Sequence, residues 1–79
     1  MLKIEEMNFE QVKFILDMSM DLQHSAIKYA IIAMKKDDDF NKEWFAELIK
    51  LAHEYSKVND KCIARIHQLN DQLYKQIRG

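Results

Sequence analysis

The chain contains no proline, and its single glycine is the last of its 79 residues. Tight turns, β-hairpins and phosphate-binding loops usually depend on Gly or Pro, because these residues supply backbone conformations that others avoid. Their absence from the interior leaves long helices as the main structure that this chain can form. We therefore predict an all-α protein. The same absence argues against enzyme folds whose active sites lie in strand–loop–helix connections.

The first helix is predicted over about 9–36. Asn8 is a favourable N-cap residue, and Gln11 lies three positions later, where a capping box places Glu or Gln. Lys35 and Lys36 are cations suited to the negative end of the helix dipole. These signals define both ends of helix 1.

A short acidic segment over about 37–41 separates helix 1 from helix 2. Asp and Asn are poor in helix interiors and favourable at helix N-termini. Either Asp39 or Asn41 is expected to cap helix 2, which would then cover about 42–78. Because the chain lacks interior Gly and Pro, we expect helix 2 to be continuous and residues 1–79 to form a single helical domain.

Apolar residues recur every three or four positions in both segments, as amphipathic helices require. In helix 1 the stripe consists of Val12, Ile15, Ser19, Leu22, Ala26, Tyr29 and Ala33. In helix 2 it consists of Trp44, Leu48, Leu51, Tyr55, Val58, Cys62, Ile66, Leu69, Leu73 and Ile77. Two such helices joined by a short loop predict an antiparallel helical hairpin.

Helix 2 is longer than helix 1, so its last turns should extend beyond its neighbour. This extension carries Leu69, Leu73 and Ile77, which are candidates for binding a partner. Leu2, Ile4 and Met7 are candidates to fold over part of it.

Helix 1 also has apolar residues outside its stripe, and a helix that is apolar on several sides needs more than one neighbour. The sequence therefore favours two hairpins dimerising into a four-helix bundle. The alternative is a monomeric three-helix bundle with helix 2 broken near residue 59. The candidates for the oligomer interface are Phe14, Met18, Ile27, Ile31 and Met34.

The composition gives weak constraints on location and source. The formal net charge is −1, and the longest apolar run is far too short to span a membrane. The acidic start of the sequence does not resemble a signal peptide, so a cytoplasmic protein with a reduced cysteine is expected. Phe, Tyr, Met, Ile, Asn and Lys together number 35, against 9 for Gly, Ala, Arg and Pro. This bias is typical of AT-rich bacterial or phage genes.

No residue pattern indicates catalysis, and no cofactor or metal is expected. Asp17, Asp21 and His24 share one helical face, but ordinary i,i+4 pairing explains a solvated polar strip. Cys62 lies on the apolar stripe and is interpreted as a small core residue. A redox-sensitive or intermolecular thiol is the alternative for Cys62.

The C-terminal half is modestly basic, since residues 57–79 carry five basic and two acidic side chains. Lys57, Lys61, Arg65 and Lys75 follow one face of helix 2, and we call them the basic stripe. A stripe of this kind suits an acidic protein partner or weak phosphate contact.

Helix 1 and the end of helix 2 carry more apolar residues than one hairpin can bury, and the sequence contains no catalytic motif. These two features favour a small, non-enzymatic regulatory or adaptor protein. Such a protein would bind another protein through helical surface, and a phage- or plasmid-type inhibitor, chaperone or immunity protein would have this size. The alternative is a nucleic-acid-associated regulator that uses the basic stripe.

Overall fold

The computed structural model describes residues 3–36 and 38–78. Within these ranges the chain forms a short 3-10 turn at Ile4–Glu6, helix α1 at Phe9–Met34 and helix α2 at Asp39–Arg78. The two helices pack against each other along the length of α1, and the described residues contain no strand. The predicted all-α helical hairpin is confirmed.

The predicted start of α1 is confirmed by the hydrogen bonds of a capping box. The Asn8 Oδ1 atom accepts a bond of 2.9 Å from the backbone N–H of Gln11. In return, the backbone N–H of Asn8 donates to Gln11 Oε1 at 3.0 Å. Helix α1 ends at Met34, two residues earlier than predicted, with Lys35 as its C-cap.

The predicted cap of the second helix is wrong, because Asp38 caps α2 rather than Asp39 or Asn41. The Asp38 carboxylate accepts the backbone N–H of Asn41 at 2.8 Å and the side-chain amide of Asn41 at 2.7 Å. The backbone bond first, and then the side-chain bond, lowers the pKa of Asp38 below its usual range. With Asp38 as cap, α2 begins three residues before the predicted position. Asp37, also part of the predicted acidic turn, lies outside the described residues.

Helix α2 is a single helix of 40 residues. The three-helix alternative, which required a break near residue 59, is therefore wrong. Asn59 remains inside the helix because its side chain points towards α1 and finds a hydrogen-bond partner there. A weak helix former is tolerated in a helix interior when tertiary contacts compensate for its low propensity.

The core is thin and divides into two clusters of buried residues. One lies towards the connection between the helices and consists of Ala26, Ala30, Leu48 and Ala52, with Phe45 packed against it. The other lies towards the free ends and consists of Met7, Val12 and Cys62, with Ile4, Ile15, Leu16, Val58 and Ile66 packed around it.

The predicted stripes are only partly correct. Leu22 and Tyr29 of α1, and Trp44 and Leu51 of α2, remain between 36% and 47% exposed. The buried line of α1 instead passes through Ala30, because small side chains let the helix axes approach closely and move the larger neighbours to the flanks.

The hairpin is one layer of two helices and is unusually extended for its mass. Its Cα extents are 61 × 23 × 14 Å and its radius of gyration is 17.1 Å. A globular chain of this length has a radius of gyration of about 12 Å. The accessible surface is 6482 Å², whereas a compact monomer of this mass exposes about 5,000 Å². Much of the surface that a second layer normally covers is therefore exposed.

Candidate interaction surfaces

The exposed apolar side chains lie on two opposite flanks of the hairpin, because the line between the helices is occupied by small residues. We call the first the groove flank. Its exposed or half-buried apolar residues are Leu16, Met20, Ile27, Ile31, Met34 and Ile63. We call the second the aromatic flank, and its corresponding residues are Met18, Leu22, Tyr29, Ile32, Trp44 and Leu51.

The five interface candidates from the sequence do not share one surface. At about 100° per residue, Ile27, Ile31 and Met34 lie on the groove flank. The same spacing places Met18 on the aromatic flank, and Phe14 lies on that side near Met7. All five are exposed, yet a single flat partner cannot contact the whole set.

The groove flank contains a depression of about 340 Å³ between the helices. Its walls are mainly apolar, and three polar side chains lie among them: Gln23, His24 and Asn59. Such a combination of apolar walls and a few polar groups is typical of sites that orient what they bind.

A polar layer, formed by Ser19, Gln23 and Asn59, separates the two core clusters. The Ser19 hydroxyl donates to the Tyr55 carbonyl at 3.1 Å. Gln23 Nε2 donates to the Ala52 carbonyl at 3.4 Å, and Asn59 Nδ2 donates to Gln23 Oε1 at 2.8 Å. The layer therefore links the two helices at about the middle of α1.

The donor and acceptor groups in this chain of hydrogen bonds can be assigned in only one way. The Ala52 carbonyl can only accept, so Gln23 must present its NH₂ group there and its Oε1 to Asn59. Asn59 must then present its own NH₂ group to Gln23, which leaves Asn59 Oδ1 without a donor. Asn59 is only 9% exposed, and a buried acceptor without a partner costs about 1–3 kcal/mol.

The aromatic flank is organised by one ring contact. The Tyr29 and Trp44 rings lie 6.3 Å apart at 35°, close to the connection between the helices. Both rings keep more than a third of their surface exposed. Tyr and Trp are common anchors at protein interfaces because they bury a large area with few rotatable bonds.

The end of α2 extends beyond α1, as predicted. Leu69 is half-buried, Leu73 is 56% exposed and Ile77 is 76% exposed. Ile4 and Met7 pack onto the cluster around Cys62 rather than onto these last turns, and Leu2 lies outside the described residues. The apolar line of α2 thus continues past its last contact with α1.

Two of the four cations of the basic stripe are engaged in contacts within the chain. Arg65 Nε donates to the Met7 carbonyl at 2.9 Å and so holds the N-terminal segment on α2. Lys57 Nζ lies 3.5 Å from Glu54 Oε1. Lys61 and Lys75 are exposed. The structural use of Arg65 was missed from the sequence, because nothing local indicates that a surface arginine meets a carbonyl 58 residues away.

The polar strip on the outside of α1 consists of solvated side chains. Lys13 Nζ lies 3.7 Å from Asp17 Oδ2, and both side chains are mostly exposed. His24, the third member of the strip considered above, lines the groove. In the described part of the chain, no three His, Cys, Asp or Glu side chains converge in a way that would hold a metal ion.

Cys62 lies in the core cluster of the free ends with no exposed surface. Its burial raises the pKa of the thiol, because an apolar surrounding disfavours the thiolate. The core interpretation agrees with this position. In the hairpin as it stands, an intermolecular disulfide through Cys62 would require the cluster to open.

We therefore expect Cys62 to react with a thiol reagent only when the hairpin opens. At neutral pH the labelling rate should be far below that of the same protein in denaturant, since thiolate formation and access are both suppressed. Because the reacting group is then the exposed thiol of the opened hairpin, raising the pH should accelerate labelling as it does for a free thiol. Rapid labelling in the native state would contradict the buried position.

Comparison of the chain with protein-family models, with curated proteins and with solved structures found no match. Within residues 3–36 and 38–78, neither helix has an apolar stretch long enough to cross a bilayer.

Proposed function

We propose that this chain is a small, non-enzymatic regulatory or adaptor protein that binds another protein through helical surface. The observation that carries the proposal is the apolar line on the α2 extension, where Leu73 and Ile77 are exposed next to each other at i,i+4 spacing. An amphipathic helix end of this kind fits an apolar groove on a partner.

The charges around this line suit a protein partner. Lys75 and Arg78 lie in the last turn of α2, and the Arg78 guanidinium lies 5.2 Å from the centre of the Tyr74 ring. An apolar centre with an aromatic ring and cations at its rim is the usual composition of a protein interface. A partner with an acidic rim around an apolar groove would complement it.

The proposal predicts that Leu73→Glu with Ile77→Glu weakens partner binding by about tenfold or more. Burial of each side chain contributes about 1.5–3 kcal/mol, and 1.4 kcal/mol corresponds to a factor of ten in affinity. For the measurement, the tagged protein is used to capture binding proteins from a lysate of the cells that express it. Each captured protein is identified, purified and titrated against the wild type and the variant.

The matched control is Gln72→Glu with Gln76→Glu, which adds the same charge to the same turns. It should weaken binding much less than the apolar variant does, since rim charges contribute less to affinity than the burial of apolar side chains. Equal weakening by both variants would show a charge effect and contradict the proposed apolar contact. The proposal would also be contradicted if none of the captured proteins binds this chain once it has been purified.

The second candidate, a nucleic-acid-associated regulator, is tested by the same capture. It rests on Lys61 and Lys75, the exposed cations of the basic stripe that no described contact engages. A nucleic-acid-associated protein would retain nuclease-sensitive material whose binding falls steeply with salt. Retained protein that resists nuclease favours the first candidate.

A further inference from the structure

We propose that the N-terminal segment of the chain is an autoinhibitory strap on the partner-binding face of α2. The N-terminal strap consists of residues 3–7, and it leaves α2 when the partner binds, while the two helices stay packed against each other. This inference rests on the proposed function, because it concerns the regulation of the same face of α2.

The N-terminal strap lies on the apolar line that the α2 extension continues. At spacings of three or four residues, which keep side chains on one helix face, this line consists of Cys62, Ile66, Leu69, Leu73 and Ile77. Exposure rises along the line, from none at Cys62 to 76% at Ile77. Ile4 and Met7 of the strap pack in the cluster of Cys62. The strap therefore covers the buried end of the line whose exposed end is the proposed partner site.

The strap offers α2 the same chemistry that suits a partner for this face. Its apolar side chains, Ile4 and Met7, pack into the cluster of the free ends. Its two carboxylates, Glu5 and Glu6, remain exposed. The Met7 carbonyl accepts a hydrogen bond of 2.9 Å from Arg65 Nε. The partner inferred above likewise combines an apolar surface with acidic groups, so the strap competes with it at the high effective concentration of a linked segment.

The strap can leave α2 without disturbing α1. The capping box between Asn8 and Gln11 completes the start of α1 immediately after the strap. Among the described residues, the bond from Arg65 to the Met7 carbonyl is the hydrogen bond that joins the strap to α2. Ordering the strap costs backbone entropy, which this bond and two apolar side chains must offset. Short segments with few contacts are those that open while the rest of a protein stays folded.

Release of the strap lengthens the surface that the partner can use. It removes Ile4 and Met7 from the cluster against which Ile66 packs. The partner can then contact α2 from Ile66 onwards instead of only at Leu73 and Ile77. While the strap is bound, the apparent affinity is reduced in proportion to the fraction of molecules in which the strap is open.

The first test follows the strap in the protein alone. Glutamyl endopeptidase, which cleaves after Glu5 or Glu6, needs an extended substrate and so acts on the open strap, and mass spectrometry identifies the product. When opening and closing are fast, the cleavage rate reports the population of the open form. Below the urea unfolding transition this rate should depend weakly on urea, because opening of the strap exposes little surface. A rate that follows the population of globally unfolded chain would overturn the proposal.

The second test loosens the strap and leaves the α2 extension unchanged. Ile4→Ser should be cleaved about fivefold faster than the wild type, because it removes apolar burial from the strap. It should also bind the purified partner about fivefold more tightly, since the open form is more populated. The matched control is Phe9→Ser, which replaces a 48% exposed apolar residue just outside the strap and should change neither quantity. Far-UV circular dichroism shows that each variant is still helical.

The partner's effect on the strap completes the test. Saturating the wild type with the partner should accelerate cleavage, whereas protection of the strap would place it in the interface and overturn the proposal. Equal or weaker partner binding by Ile4→Ser would overturn it as well. If Leu73→Glu with Ile77→Glu loses binding while Ile4→Ser gains none, the strap alone fails. If the double variant binds like the wild type, the proposed function itself fails.

Discussion

Replacing Val12 with aspartate is expected to unfold the hairpin. Val12 has no exposed surface and lies against Met7 and Cys62 in the cluster of the free ends. A carboxylate there has no cation to pair with among the residues of this cluster, and an unpaired buried charge costs about 3–5 kcal/mol. This equals the whole stability that a core of this size usually provides, roughly 3–5 kcal/mol.

The measurement is helicity by far-UV circular dichroism, followed by urea denaturation of any protein that remains folded. Ser25→Asp is the matched control, because it adds the same charge to an exposed position of α1. A surface substitution of this kind should change the free energy of unfolding by less than about 0.5 kcal/mol. Equal stability of the two variants would mean that Val12 is not enclosed.

The second large effect is expected from truncating Leu48. Its side chain is 9% exposed and packs with Ala26, Ala30 and Ala52. Leu48→Ala should lower the free energy of unfolding by about 2–5 kcal/mol, because it removes apolar burial and leaves a cavity. The other buried members of the cluster are alanines, whose methyl groups cannot extend into that cavity.

Leu51→Ala is the matched control for this prediction. The sequence places Leu48 and Leu51 on the same stripe, but the structure leaves Leu51 45% exposed. Its truncation should cost less than half as much, since much of its surface is already in water. Both variants are measured by urea denaturation at the same protein concentration. If Leu51→Ala lowered the free energy of unfolding more than Leu48→Ala does, the structure would be contradicted and the buried position predicted for Leu51 from the sequence would be correct.

Local signals predicted the ends of α1 well and the start of α2 poorly. The Asn8–Gln11 capping box depends on residues three positions apart, so the sequence contains all of its chemistry. At α2, Asp38, Asp39 and Asn41 are each acceptable caps by composition. The choice of Asp38 follows from its bonds to Asn41, which form only in one register of the turn.

Periodicity located the helix faces but did not identify the line of closest approach. A spacing of three or four residues between apolar positions is satisfied by Leu22 and Tyr29 as well as by Ala30. Helix packing distance decides between them, because alanines allow the axes to approach and larger side chains must move aside. The polar layer does not follow from the sequence for a related reason: Ser19 and Asn59 lie on different helices, and only their hydrogen bonds to the opposite helix give them a shared role.

The sequence alone determined the all-helical hairpin, because a chain without interior Gly or Pro and with two amphipathic stretches has few other structures available. Only the tertiary structure decided which residues are enclosed, that Arg65 holds the N-terminal segment, and that Asn59 has an unsatisfied acceptor. These features depend on how two helices approach and rotate against each other. That geometry results from side-chain volumes and hydrogen bonds between residues far apart in the chain, which local patterns do not encode.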